Sequence, residues 1–139
     1  MDDGAVMRPR GVLIGIVGPC SSGKSTVARA LRDAGYSVRE IRQEHSGVPD
    51  MWKRLTDPDM LIYLDVDPWV AARRERLQAP SSWWEEERQV RLAHARANAD
   101  LYLDTSELTP EMAIAQVMDF VQNQCRVGGD EPKPAALEE

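Results

Sequence analysis

Residues 11–31 read GVLIGIVGPCSSGKSTVARAL. Gly11–Val17 is a short apolar run rich in β-branched residues, which predicts a buried strand. Lys24–Ala34 (KSTVARALRDA) is predicted helical, with Val27, Ala30, Leu31 and Ala34 on one face and Gly35 just past its end. Between them Gly18–Thr26 (GPCSSGKST) fits the pattern G-x-x-x-x-G-K-[ST]. Each part of that pattern has a physical purpose. Glycines allow close backbone approach. Loop N–H groups then turn inward around an anion, and the helix behind presents its positive end to it. Lys24 would reach terminal phosphates, and the Ser25 hydroxyl would ligate Mg2+. Background residue frequencies put a chance match in a chain this long at roughly half a per cent. The competing reading is a glycine-rich strand-to-helix turn with an exposed lysine.

Working outward, Tyr36–Ile41 is a second predicted strand and Arg42–Val48 a loop. Pro49–Leu55 predicts a short helix, and Met60–Val66 (MLIYLDV) a third strand covered on both faces. Asp67 and Pro68 read as N-cap and first residue of a helix to Leu77. Ser82-x-x-Glu85 is a capping box before a long arginine-rich helix, Trp83–Asn98. Leu101–Leu103 is a fourth strand. Thr109–Pro110 caps a last helix to Gln124, with Ile114, Val117, Met118, Val121 and Cys125 on its apolar face. Strands alternating with helices imply a parallel sheet with right-handed crossovers. Residues 1–10 read as a loose arm, 11–126 as the domain and 127–139 as a disordered tail.

Composition bounds the function. The chain has 139 residues, 42% hydrophobic and 29% charged, which suits one soluble domain. Net charge is −6, and about half of that excess lies beyond Val127. Such a balance argues against a dominant nucleic-acid footprint, which needs a basic face, and leaves room for a local cluster of arginines. Cys20 and Cys125 make no disulfide framework, so reduced thiols and a cytoplasmic location are expected. The longest apolar run is far short of a membrane span, and with MDDGAVMRPR at the start no secretory signal is expected.

With these residues in view, the chain resembles the P-loop kinases: nucleoside monophosphate kinases, deoxynucleoside kinases and shikimate-kinase-like proteins. The similarity covers residues 11–122. Pro58–Arg76 is similar to the segment that leads into the lid of thymidylate-kinase-like enzymes, and Ala99–Val117 to the final strand and helix. The resemblance implies a P-loop NTPase three-layer sandwich, here with a short parallel sheet of about four strands. It implies that Arg74 meets ATP, with the adenine against Arg74 and the loop Thr105–Leu108. Only Arg42–Asp59 stands where the family carries a larger acceptor-binding insert, and the lid is reduced to about Leu77–Trp84.

Several residues are left as candidates. Glu44 follows the second strand, at the end of the sheet where α/β proteins bind ligands. It can orient Mg2+ or accept an acceptor's proton, or be a solvated loop acid; His45 beside it is a weaker candidate. Asp65 ends an apolar strand in the manner of a Walker B carboxylate, or it helps the Asp67 cap. Arg73, Arg74, Arg76, Arg88, Arg91 and Arg96 offer phosphate partners, Arg74 first. Trp83, Trp84, Met51 and Trp52 either pack in the core or cover a base or acceptor. No Asn-Lys-x-Asp guanine motif occurs.

The expectation is a small kinase that uses ATP and Mg2+ to phosphorylate an unidentified small molecule. Lys24, Glu44 and Arg74 are the catalytic candidates. Gly18, Pro19, Cys20, Ser21, Ser22, Gly23, Lys24, Ser25, Thr26 and Arg74 would hold the nucleotide, and Ser25 and Asp65 the metal. The alternatives are a regulatory or degenerate nucleotide-binding module and a slow ATPase. Expected partners are a nucleotide and a small acceptor, with a homodimer left open, and neither membrane nor nucleic acid.

Overall fold

A computed structural model describes residues 12–84 and 86–128. The expected arm 1–10, and the expected tail from residue 129 on, lie outside the described residues. Strands β1 (Leu13–Val17), β2 (Ser37–Glu40), β3 (Met60–Asp65) and β4 (Leu101–Asp104) form one four-stranded sheet in the order β2-β1-β3-β4. All pairings are parallel. Ile14 lies opposite Val38 on one side and Met60 on the other, and Ile62 lies opposite Leu101.

One face of the sheet carries α1 (Lys24–Asp33) and α4 (Pro110–Gly128). Ile14, Ile16, Ile62 and Leu64 meet Val27 and Leu31 of α1, and Val117 and Val121 of α4. These residues recur at strand and helix periods, which is why the apolar pattern was readable. The other face packs Val17, Leu61 and Tyr63 against Ile41, Trp52, Leu92 and Ala95. Gly15 lies where space is short: a Cβ there would come within 2.6 Å of Ile41 Cδ1.

The order β2-β1-β3-β4 puts β2 directly against β1. It matches the first four places of the flavodoxin-like doubly wound order. On the second face, short turns and the five-residue α3 (Ala93–Ala97) take the place of a full helical layer. The expected P-loop NTPase three-layer sandwich is corrected accordingly. What stands is an α/β fold with a four-stranded parallel sheet.

Four helices differ from expectation. The segment 52–56 is a single widened turn in which the Asp57 N–H reaches the Trp52 carbonyl. The long helix Trp83–Asn98 is broken into another wide turn, Glu86–Arg91, and α3, with buried Leu92 between them. The Trp83 N–H donates to Ser81 Oγ at 3.1 Å, and the expected Ser82–Glu85 capping box falls on Glu85, outside the described residues. α4 runs past Gln124 to Gly128, so the first two residues of the expected tail are helical. Helix α2 (Pro68–Arg74) opens as expected, with Asp67 Oδ1 accepting the Trp69 N–H at 2.8 Å, but ends three residues early. Among the described residues no helix is long and apolar enough to cross a membrane.

Candidate functional site

β1 delivers the chain into the Gly18–Gly23 turn. Gly18 has φ +150°, and a Cβ there would stand 2.0 Å from the Leu64 carbonyl oxygen, so glycine alone fits. Gly23 precedes α1 at φ +103°. No side chain caps α1, and no acidic residue lies in its first turn. The positive end of the helix therefore faces the turn without a cap or an acidic residue from the helix itself.

Lys24 curls beneath this turn. Its Nζ donates to Gly18 O at 2.7 Å and Pro19 O at 3.1 Å, and lies 3.0 Å from Glu44 Oε2. Glu44 sits on a short 3-10 turn, Gln43–His45, just after β2. Buried Gln43 fixes that turn: Oε1 accepts the Trp52 N–H at 2.8 Å, and Nε2 donates to Val48 O at 2.8 Å. His45 Nε2 lies 3.8 Å from Glu44 Oε2. Two buried oxygens at the site, Ser22 Oγ and Glu44 Oε1, have no hydrogen-bond partner among the described residues. Ser25 Oγ donates to Glu40 Oε1 at 2.7 Å, at the end of β2.

Arg74 closes the opposite side. NH1 donates to Ser21 O at 2.8 Å and NH2 to Thr105 O at 2.6 Å. The buried Thr105 hydroxyl lies 2.8 Å from Ser22 O and 3.1 Å from Asp65 O. Behind this brace is a cavity of about 300 Å³. Ser22, Gly23, Val27, Arg74, Leu108 and Ala113 are among its walls.

The fold thus gathers Gly18–Thr26, Glu44 and Arg74 around one turn. Asp65 is buried at the end of β3. Its Oδ1 accepts the Val66 N–H at 2.8 Å, and its Oδ2 accepts the Tyr102 hydroxyl. Arg73 and Arg76 are exposed. Arg91 reaches the Glu44 carbonyl at 3.4 Å, and Arg96 lies over the Tyr102 ring. The side chain of Arg88 lies outside the described residues. Trp52 and Trp84 are core residues, the first donating its indole N–H to His94 Nδ1 at 3.0 Å, whereas Trp83 is exposed. Met51 is half-buried. Thr105 as a brace and Glu40 as the partner of Ser25 escaped the sequence reading. Their contacts join residues far apart in the chain, for which the sequence carries no local signal.

No protein-family profile matches the chain. A nucleotide-binding protein of Magnetococcus marinus is 28% identical over an alignment of 175 positions, covering 86% of this chain and 56% of that protein. The chain thus spans about half the length of that relative. A solved structure of the C-terminal part of Escherichia coli RcsC, with its linker region and phosphoreceiver domain, matches at a TM-score of 0.45 and 19% identity. That match covers 94% of this chain and 53% of the other. None of these places the chain among the P-loop kinases, and the P-loop NTPase class is not retained.

Proposed function

We propose that the protein binds a nucleoside triphosphate of the ATP type, with its phosphates in the Gly18–Thr26 turn and its base in the adjoining cavity. One observation carries this reading: the 300 Å³ cavity shares Ser22, Gly23 and Arg74 with the turn. An anion at the α1 N-terminus and a flat apolar group among Val27, Leu108 and Ala113 would be neighbours. The name of the Magnetococcus relative supports the same reading.

The residues fit the ligand. Ser22 Oγ lacks a hydrogen-bond partner among the described residues, and Lys24 can trade two carbonyls for phosphate oxygens. Ser25 Oγ and Glu40 Oε1, 2.7 Å apart, are hard oxygen donors of the kind Mg2+ takes. Mg2+ would screen phosphate charge; Asp65 keeps its carboxylate on Val66 and Tyr102.

The test is calorimetry with ATP and with inorganic tripolyphosphate, each with Mg2+. ATP is expected to bind more tightly than tripolyphosphate, and Lys24→Ala to weaken both. Equal affinities would remove the base from the cavity. Binding of neither would remove the phosphates from the turn.

A second reading is phosphoryl transfer to a small acceptor. It is favoured by Glu44, a buried carboxylate 3.0 Å from Lys24 with one oxygen unpartnered among the described residues. That group can take an acceptor's proton while Lys24 offsets developing charge. ADP release that depends on an added nucleoside, nucleotide or sugar supports it. Acceptor-independent release means a slow ATPase, and binding without turnover means a nucleotide-binding module.

A further inference from the structure

Cys20 lies in the turn after β1, and Glu44 and His45 in the turn after β2. One sulfur, one carboxylate oxygen and one imidazole nitrogen from these three side chains all lie within 4.8 Å of one another. Glu44 adds an independent observation. Its side chain is 4% exposed, yet Oε1 has no hydrogen-bond partner among the described residues. Cys20 is half-buried and His45 exposed, so the cluster is closed on the Glu44 side and open to solvent on the His45 side.

We propose that Cys20, Glu44 and His45 bind a borderline-soft divalent cation of the Zn2+ class. The donor set decides the class. Thiolate, imidazole and carboxylate together suit Zn2+, whereas Mg2+ and Ca2+ take oxygen ligands. Three protein ligands leave a fourth position open to water. Tetrahedral bonds of about 2.0–2.3 Å set ligand atoms roughly 3.3–3.8 Å apart, so small side-chain shifts close the cluster on an ion. His45, at the surface, can supply most of that shift.

Lys24, 3.0 Å from Glu44 Oε2, is the obstacle to be met. A charge count removes it. The Cys20 thiol releases its proton to solvent as the metal–sulfur bond forms. Thiolate and carboxylate then cancel both charges of the cation. Lys24 faces a neutral assembly and keeps Gly18 O and Pro19 O as acceptors. Oε2, 3.8 Å from His45 Nε2, is the oxygen shared with Lys24, while the buried Oε1 has no hydrogen-bond partner among the described residues. A small rotation of the carboxylate therefore lets one oxygen hold the ion and the other Lys24. The site takes Cys20 from the Gly18–Thr26 turn and Glu44 from beside Lys24, but it involves no phosphate, so a titration without nucleotide reads it separately from the nucleotide reading.

The test is a Co2+ titration of the whole chain without nucleotide and under reducing conditions. Thiolate ligation to Co2+ produces a near-ultraviolet charge-transfer band. One equivalent of Co2+ should raise that band, and Zn2+ should displace it. Zn2+ affinity, read by competition with a chromophoric chelator, should fall about tenfold or more in Cys20→Ser and in His45→Gln. Cys125→Ser should leave both readouts unchanged. His45→Gln alters only a surface side chain, so it decides the matter even if Cys20→Ser misfolds. The proposal is overturned by a parent without the band, by a band that survives Cys20→Ser, or by unchanged Zn2+ affinity in His45→Gln.

Discussion

Lys24 and Glu44 form an ion pair under the Gly18–Gly23 turn, 3.0 Å apart, with side chains only 10% and 4% exposed. Removing one member of such a pair leaves the other charge poorly solvated, which typically costs about 3–5 kcal/mol. Glu44→Gln should cost less, about 1–3 kcal/mol, because Lys24 keeps two carbonyl acceptors. Lys24→Met should cost more, since it strips Glu44 of its cation. Urea denaturation of both variants and of the double variant measures the coupling. Strict additivity would show that the two charges do not support each other.

Arg74 donates from two different nitrogens to Ser21 O and Thr105 O. Lysine carries one nitrogen and cannot reproduce that fork. Arg74→Lys is therefore expected to weaken ATP binding nearly as much as Arg74→Ala, by about tenfold or more if one charge-assisted bond is lost. Arg73→Ala and Arg76→Ala should change it little, because among the described residues Arg74 is the one of the three that donates to Ser21 and Thr105. Nucleotide titrations of the four variants at fixed Mg2+ make the comparison; equal affinities throughout would separate Arg74 from the ligand.

Asp65 separates fold from metal. With one oxygen on the Val66 N–H and the other on the Tyr102 hydroxyl, Asp65→Asn should lower stability by about 1–2 kcal/mol. The Mg2+ dependence of ATP binding should stay as in the parent. Glu40→Gln, beside Ser25, should shift that dependence to higher Mg2+ with little change in melting temperature. Affinity measured across a Mg2+ series distinguishes them, and the reverse pattern would return the metal to Asp65.

Cys125 provides a pH test of the α4 packing. Burial pushes its thiol above the ordinary cysteine range, and burial likewise raises the hydroxyl of Tyr36, with the charge of Cys125 adding to it. Thiolate is the reactive form, so a raised value means less thiolate at a given pH. Alkylation of Cys125 at neutral pH should be slower than that of a free cysteine. Its rate should climb through a higher pH range, as read by peptide mass spectrometry. A rate equal to free cysteine would show that the thiol is open to water.

Much of this architecture was legible in the residues. Gly18, Gly23 and Lys24 announce a turn between strand and helix because their spacing answers a backbone need. Asp67–Pro68 announces the start of α2 because capping is local. The break at Leu92 was not legible. A run of arginines and alanines favours a helix on propensity, while buried Leu92 and Ala95 must seat against the sheet face, and that tertiary demand wins. In the candidate site the residues were legible and their contacts were not: Gly18–Thr26, Glu44 and Arg74 stood out, but the bonds that join Arg74 and Thr105 to the turn did not. Arg74 and Thr105 are 31 residues apart, and Thr105 and Ser22 are 83 apart. Contacts of that span leave no periodic trace. The sheet order was equally hidden, since strand period fixes faces and not neighbours.

Ser21 and Ser22 hang from three tethers: Arg74 on the Ser21 carbonyl, Thr105 on the Ser22 carbonyl, and Glu75 on the Ser21 hydroxyl. The tethers are anchored at the end of α2 and just after β4. The turn therefore cannot swing as a separate flap. Any guest that reshapes it must also tug on two distant stretches of chain, and the slowing of amide exchange would spread together through residues 21–22, 74–75 and 105.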